Sequence, residues 1–201
     1  MEVNIKTEPW KHAIVENILS DELFEKVNKK SIFLYEKVSN APYHPKFGIG
    51  NRTRRSGDTE DEVHLELCEV VKKFFYEYYD ELDSGNMQKQ EIENKHIIIE
   101  YQNRPPNEHL ITSKPNIHTD TPFKMMSFVI NLSEKGSGTT LYTQDREYHS
   151  QTEWKKNRAL VFVRNTTEGT QTFHSIVNSV DELRRVLVVF VADPSSEKLK
   201  K

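Results

Sequence analysis

Met125-Met126-Ser127-Phe128-Val129-Ile130-Asn131-Leu132 is a β-rich, mostly apolar run. It reads as a strand. The longest purely apolar run, Val186 to Ala192, is far too short to span a bilayer. After a polar turn, Gly138-Thr139-Thr140-Leu141-Tyr142 reads as a second strand. Working outward, His96 to Tyr101, Ala159 to Val163, Thr170 to Val177 and Val186 to Val191 repeat the pattern, separated by Gly, Asn, Asp or Pro. Short strands at regular spacing argue for a sandwich or barrel rather than alternating βαβ units. The text upstream is different. Ser20 followed by Asp21 and Glu22 is a helix start, with Leu23, Phe24, Val27, Phe33 and Leu34 at roughly helical spacing. Leu67, Val70, Val71, Phe74, Tyr78 and Leu82 define a second helix, with Gly85 as its expected C-cap. The order predicts an α+β chain, with helices packed on one sheet.

Length and composition fix what kind of chain carries this pattern. At 201 residues it fits one domain. Hydrophobic residues make up 35%, below average, yet 10 Phe and 8 Tyr supply bulk for a core. A net charge of -3, from 28 basic and 31 acidic residues, gives no case for a nucleic-acid or membrane partner. The first residues of the sequence contain no apolar h-region, so no signal peptide is expected. The single Cys68 excludes an intramolecular disulfide and any Cys-based zinc site, and suits a reducing compartment, so a cytoplasmic location is expected. The division expected is 1–93 as helical support with a loop over the substrate side, 94–193 as the strand core, and 194–201 as a frayed tail. The loop from Asn40 to Asp61 holds the basic cluster Arg52, Arg54 and Arg55. Such a cluster would attract an anionic substrate or simply stand exposed.

The chemistry lies among the 8 histidines. In His118-Thr119-Asp120, residues i and i+2 of an extended chain face the same way, so an imidazole and a carboxylate converge. His174 sits on a later strand, and Leu183-Arg184-Arg185 opens the last one. Two His and one carboxylate make the facial triad used by non-haem Fe(II) oxygenases, which leaves positions free for a 2-oxo acid and O₂. An arginine near the barrel end would hold the far carboxylate of that acid through a two-pronged ion pair. Alternation puts Arg184 and Arg185 on opposite faces, so only one can point inward. Each histidine alone is more often a packed or hydrogen-bonded residue. His12, His44, His64, His96, His109 and His149 are read that way, with His96 on a strand and His149 in a loop.

In this order and spacing the sequence resembles the 2-oxoglutarate- and Fe(II)-dependent oxygenase superfamily, in particular its small prolyl-hydroxylase-like bacterial and phage members. His118-Thr119-Asp120, His174 about 56 residues on, and Arg184 or Arg185 about 10 or 11 further carry the resemblance. Phe128 to Leu132, Gly138 to Tyr142 and Ala159 to Phe162 support it. It implies a double-stranded β-helix (jelly-roll, cupin-like) core with the N-terminal helices packed on the larger sheet. It also implies a dioxygenase that hydroxylates a small-molecule or peptidyl substrate while releasing succinate and CO₂. His118, Asp120 and His174 would be the metal ligands, and Arg184 or Arg185 and Tyr101 would contact the co-substrate. Two other readings stay open: a non-catalytic jelly-roll binding module, and a cupin-like metalloenzyme that uses no 2-oxoglutarate. The sequence names neither the substrate nor an oligomeric state.

Overall fold

The computed structural model describes residues 1–39, 52–56, 60–83, 91–104, 116–165, 170–176 and 183–195. Among the described residues, two α-helices, α1 (Asp21–Ser39) and α2 (Glu62–Leu82), accompany ten strands. These are β1 (Glu2–Lys6), β2 (His12–Glu16), β3 (Arg52–Ser56), β4 (Ile97–Arg104), β5 (Lys124–Asn131), β6 (Thr139–Tyr142), β7 (Tyr148–Gln151), β8 (Ala159–Val163), β9 (His174–Ile176) and β10 (Arg184–Ala192). A seven-stranded sheet runs β1-β2-β8-β5-β10-β4-β3 and a three-stranded sheet runs β7-β6-β9, with every recorded pairing antiparallel.

Local chemistry explains the helices. The Ser20 Oγ accepts from the Leu23 N–H at 3.2 Å, and the Asp61 carboxylate accepts from the N–H groups of Val63 and His64. The helix α2 ends at the C-cap Asp83; the expected cap, Gly85, lies outside the described residues, as do His44 and His109. Both helices bury their apolar stripes on one face of the large sheet. There Phe74 meets the ring of Phe128 edge-on at 5.4 Å, among Val27, Leu67, Val161 and Val189. The opposite face packs Val129, Leu160, Phe162, Val186, Val188 and Phe190 with Leu141 of the small sheet. Strand β5 lies between β8 and β10 and is covered on both sides, which is why its sequence is mostly apolar rather than strictly alternating. Gly138 opens the turn into β6 where no side chain fits, since a Cβ there would stand 1.7 Å from the Thr152 main-chain oxygen.

Three features correct the sequence reading. The first 93 residues are not helical support alone, because β1, β2 and β3 join the large sheet. The basic cluster expected in a loop begins strand β3, where Arg52 is in register with Gln102 and Arg54 with Glu100. His96 closes a short 3-10 turn before β4, and His149 sits on β7. These strands escaped because β1 is amphipathic and short, while β3, Arg-Thr-Arg-Arg-Ser, carries no apolar residue at all. Edge strands are held by ladder hydrogen bonds and tolerate such sequences.

Candidate metal centre between the sheets

Backbone pairing brings the candidate ligands together. His118 lies outside the named strands, yet forms an isolated antiparallel bridge with His174. The two residues exchange N–H···O bonds of 3.0 and 2.9 Å, and their rings stand 4.5 Å apart. His174 starts β9 opposite Leu141, on the face that looks toward the large sheet, and its ring lies 4.9 Å from Phe162. One ligand atom from each of His118, Asp120 and His174 lies within 4.8 Å of the others. His174 and Asp120 are buried, whereas His118 is exposed. The set is therefore walled on one side and open on another.

Each imidazole is also oriented. The Nδ1 of His118 is 2.9 Å from the Asn116 carbonyl oxygen, and the Nδ1 of His174 is 2.9 Å from the Thr172 carbonyl oxygen. A carbonyl only accepts, so each Nδ1 carries the proton and each Nε2 offers its lone pair. Holding a ligand histidine through its other nitrogen fixes both tautomer and ring plane. The Asp120 carboxylate is gripped at both oxygens, Oδ1 by the Lys124 ammonium at 2.8 Å and Oδ2 by the Ser127 hydroxyl at 2.5 Å. Two imidazoles and one carboxylate on one open face suit a divalent first-row metal such as Fe(II), so the donor set fits the ion the sequence implies.

Burial pushes the Asp120 carboxyl upward. Lys124, His174 and the hydrogen bonds from Lys124 and Ser127 outweigh that, and it titrates below its ordinary value. Burial pushes the His174 imidazole down more than the nearby Asp120 carboxylate raises it, and burial likewise depresses His12. Both histidines therefore stay neutral to lower pH in the folded chain than in the unfolded one. Their contribution to stability is complete above the ordinary value near 6.5 and declines as pH falls below it. Chemical denaturation of the metal-free protein should give a lower midpoint at about pH 5.5 than at about pH 7.5. The loss should shrink in the His174→Asn variant.

The arginines separate as alternation requires. Arg184 is fully buried on the inner face with Val186 and Val188; its Nε donates to the Ser137 carbonyl oxygen at 2.9 Å, and its guanidinium lies 5.3 Å from the Trp154 ring. Arg185 faces the helices and donates to the Asn28 Oδ1 at 2.7 Å. Arg184 is thus the residue that can meet an anion between the sheets. Tyr101 is a correction. It is registered opposite Leu187, on the helix side of the large sheet, and its hydroxyl lies 3.2 Å from the His64 Nε2 on α2. A one-residue step along a strand reverses the face, so it is Gln102, not Tyr101, that shares the inner face. Tyr101→Phe should leave 2-oxoglutarate affinity unchanged and cost about 1 kcal/mol of stability through the lost hydrogen bond. Ligand titration beside thermal unfolding checks both.

Sequence reasoning missed Lys124, Ser127 and Arg164. Arg164 follows β8 and donates its Nε to the Asp120 carbonyl oxygen at 2.9 Å. A polar Lys and Ser, four and seven residues after Asp120 in an apolar run, were the available signal.

No family model matches the chain, and no curated protein matches it either. Solved structures do. A Pseudomonas putida prolyl-4-hydroxylase superposes with a TM-score of 0.61 at 14% identity, over 90% of this chain and 92% of that one. A viral collagen prolyl hydroxylase from Paramecium Bursaria Chlorella virus-1, in its 2-oxoglutarate complex, gives 0.59 at 13% identity, over 90% and 95%. The Arabidopsis thaliana dioxygenase for auxin oxidation 1, also with 2-oxoglutarate, gives 0.63 at 11% identity, over 90% and 82%. The chain shares its fold with prolyl-4-hydroxylases and with oxygenases crystallised with 2-oxoglutarate.

Proposed function

We propose that this chain is a non-haem Fe(II)- and 2-oxoglutarate-dependent dioxygenase that hydroxylates a small-molecule or peptidyl substrate. The observation that carries the reading is the His118, Asp120 and His174 set, with ligand atoms within 4.8 Å and both Nε2 lone pairs free to face a metal. The two facing sheets are read as the halves of a double-stranded β-helix. When bound, Fe(II) with 2-oxoglutarate and O₂ supplies oxidative decarboxylation to succinate and CO₂, coupled to hydroxylation of a substrate C–H.

The chain's own residues do the rest. Ser127 holds one Asp120 oxygen and keeps the carboxylate pose fixed. Phe162 and the small sheet exclude water from the His174 side. Arg184, buried on the inner face, binds the far carboxylate of 2-oxoglutarate. Anaerobic titration with Fe(II) and then 2-oxoglutarate tests the assignment. A visible charge-transfer band of the chelate is expected, with succinate formed on admitting air. Absence of both would refute it.

A further inference from the structure

The carboxylate of Asp120 has a cationic neighbourhood that metal ligation does not require. Along β5, Ser127, Val129 and Asn131 are registered with Phe190, Val188 and Val186, and so share the inner face of the large sheet. Simple alternation would send Lys124 to the other face, toward the helices. The register slips between Val191 and Ala192, however, so that Val191 pairs with Met126 but Ala192 pairs with Lys124. Ala192 belongs to the inner face with Phe190. This bulge turns Lys124 inward, as bulges beside functional sites do.

Its ammonium then lies 2.8 Å from the Asp120 Oδ1 and 4.7 Å from the Phe190 ring centroid, with the side chain only 15% exposed. From the neighbouring strand, Arg164 donates its backbone N–H to the Met125 carbonyl oxygen at 3.1 Å and its Nε to the Asp120 carbonyl oxygen at 2.9 Å. Two cations, one on β5 and one just past the end of β8, therefore meet at one residue that brings a single negative charge. An ammonium has three donors, of which Asp120 takes one. A divalent metal drawing on the same carboxylate would leave Lys124 in need of a second anion, because a poorly compensated buried charge is costly. Arg184 belongs to a different position, seven residues from the bulge along β10.

We propose that Lys124, with Arg164 beside it, binds a carboxylate of the substrate next to the metal centre, so that the substrate class is a carboxylate-bearing molecule. The proposal rests on the oxygenase reading. A plain structural ion pair between Lys124 and Asp120 is the alternative it must beat.

The test uses the full chain loaded anaerobically with Fe(II) and 2-oxoglutarate. Free amino acids and short peptides are added as carboxylates, and the same compounds as C-terminal amides. Perturbation of the visible band reports binding, and succinate release under air reports turnover. The expected result is that carboxylates perturb the band and their amides bind at least about tenfold more weakly, the loss of a charge-assisted hydrogen bond. Because Lys124 also holds Asp120, the readout is the carboxylate-to-amide affinity ratio within each variant, at 2-oxoglutarate and metal concentrations that saturate that variant. Lys124→Met should collapse the ratio by about 10–100-fold, and Lys124→Arg should partly restore it. A response to amino acids identifies a free acid, and one to peptides alone a chain terminus. Equal binding of amides, no response to any carboxylate, or a carboxylate-to-amide ratio that Lys124→Met leaves unchanged would overturn the proposal. Should Lys124→Met not fold, Arg164→Gln makes the same comparison, and unchanged carboxylate binding there overturns it too. Loss of the wild-type band itself would strike the oxygenase reading rather than this one.

Discussion

Asp120→Ala should abolish 2-oxoglutarate-dependent succinate release and weaken metal binding by more than about 100-fold, beyond the 10–100-fold typical of a residue that only orients a ligand. The reason is geometric. Asp120 is the one carboxylate in the triad, and it is buried, so no exposed acid can replace it among the described residues. The substitution also leaves the Lys124 ammonium without its carboxylate. That costs about 3 kcal/mol, the lower end for breaking a buried pair, since Lys124 retains some path to solvent. The sign with pH follows from the depressed carboxyl. Its contribution is full above the ordinary value near 3.8 and is lost as pH falls through the lower folded value. Wild type and variant should thus differ in stability at neutral pH and converge in acid. Metal titration by competition with a chelator, beside denaturation curves, separates the two effects. Retained turnover would remove Asp120 from the ligand set.

The second large effect belongs to the arginine pair. Arg184→Met should raise the dissociation constant for 2-oxoglutarate about 10–100-fold, the worth of a two-pronged charge-assisted contact, while metal affinity stays as in the wild type. Arg185→Met should leave 2-oxoglutarate binding unchanged. It should instead loosen α1, because it removes the hydrogen bond to the Asn28 Oδ1. The comparison is sharp because the two residues are adjacent in sequence and identical in chemistry, and differ only in the face they occupy. Methionine keeps most of the buried volume, so a fall in affinity reports the lost charge rather than a cavity. Equal effects from both variants would mean that neither meets the co-substrate directly.

Part of the candidate site was legible in the sequence. His118-Thr119-Asp120 announced itself because a two-residue step on an extended chain preserves the face, and that rule needs no tertiary information. His174 and the double arginine were joined to it by the resemblance to the oxygenase superfamily, whose order and spacing they match. Helices α1 and α2 were readable from their periodicity, since each buries a stripe against a sheet.

What stayed hidden depended on partners distant in sequence. Strand β3 has no apolar residue, and only its ladder with β4 makes it a strand. Tyr101 and Gln102 are neighbours in an unbroken β-rich run, and register alone decided that Tyr101 reaches His64 while Gln102 looks inward. The same holds for Arg184 over Arg185. Lys124 showed in the sequence only as a polar residue beside an apolar run; its inward turn comes from a bulge, a slip between two strands about sixty-five residues apart that no local pattern encodes. The sequence by itself determined which chemical groups exist and which of them can share a face within one strand. The tertiary structure decided which face is the inside, because that is set by pairing energies between strands and by what covers each side of the sheet.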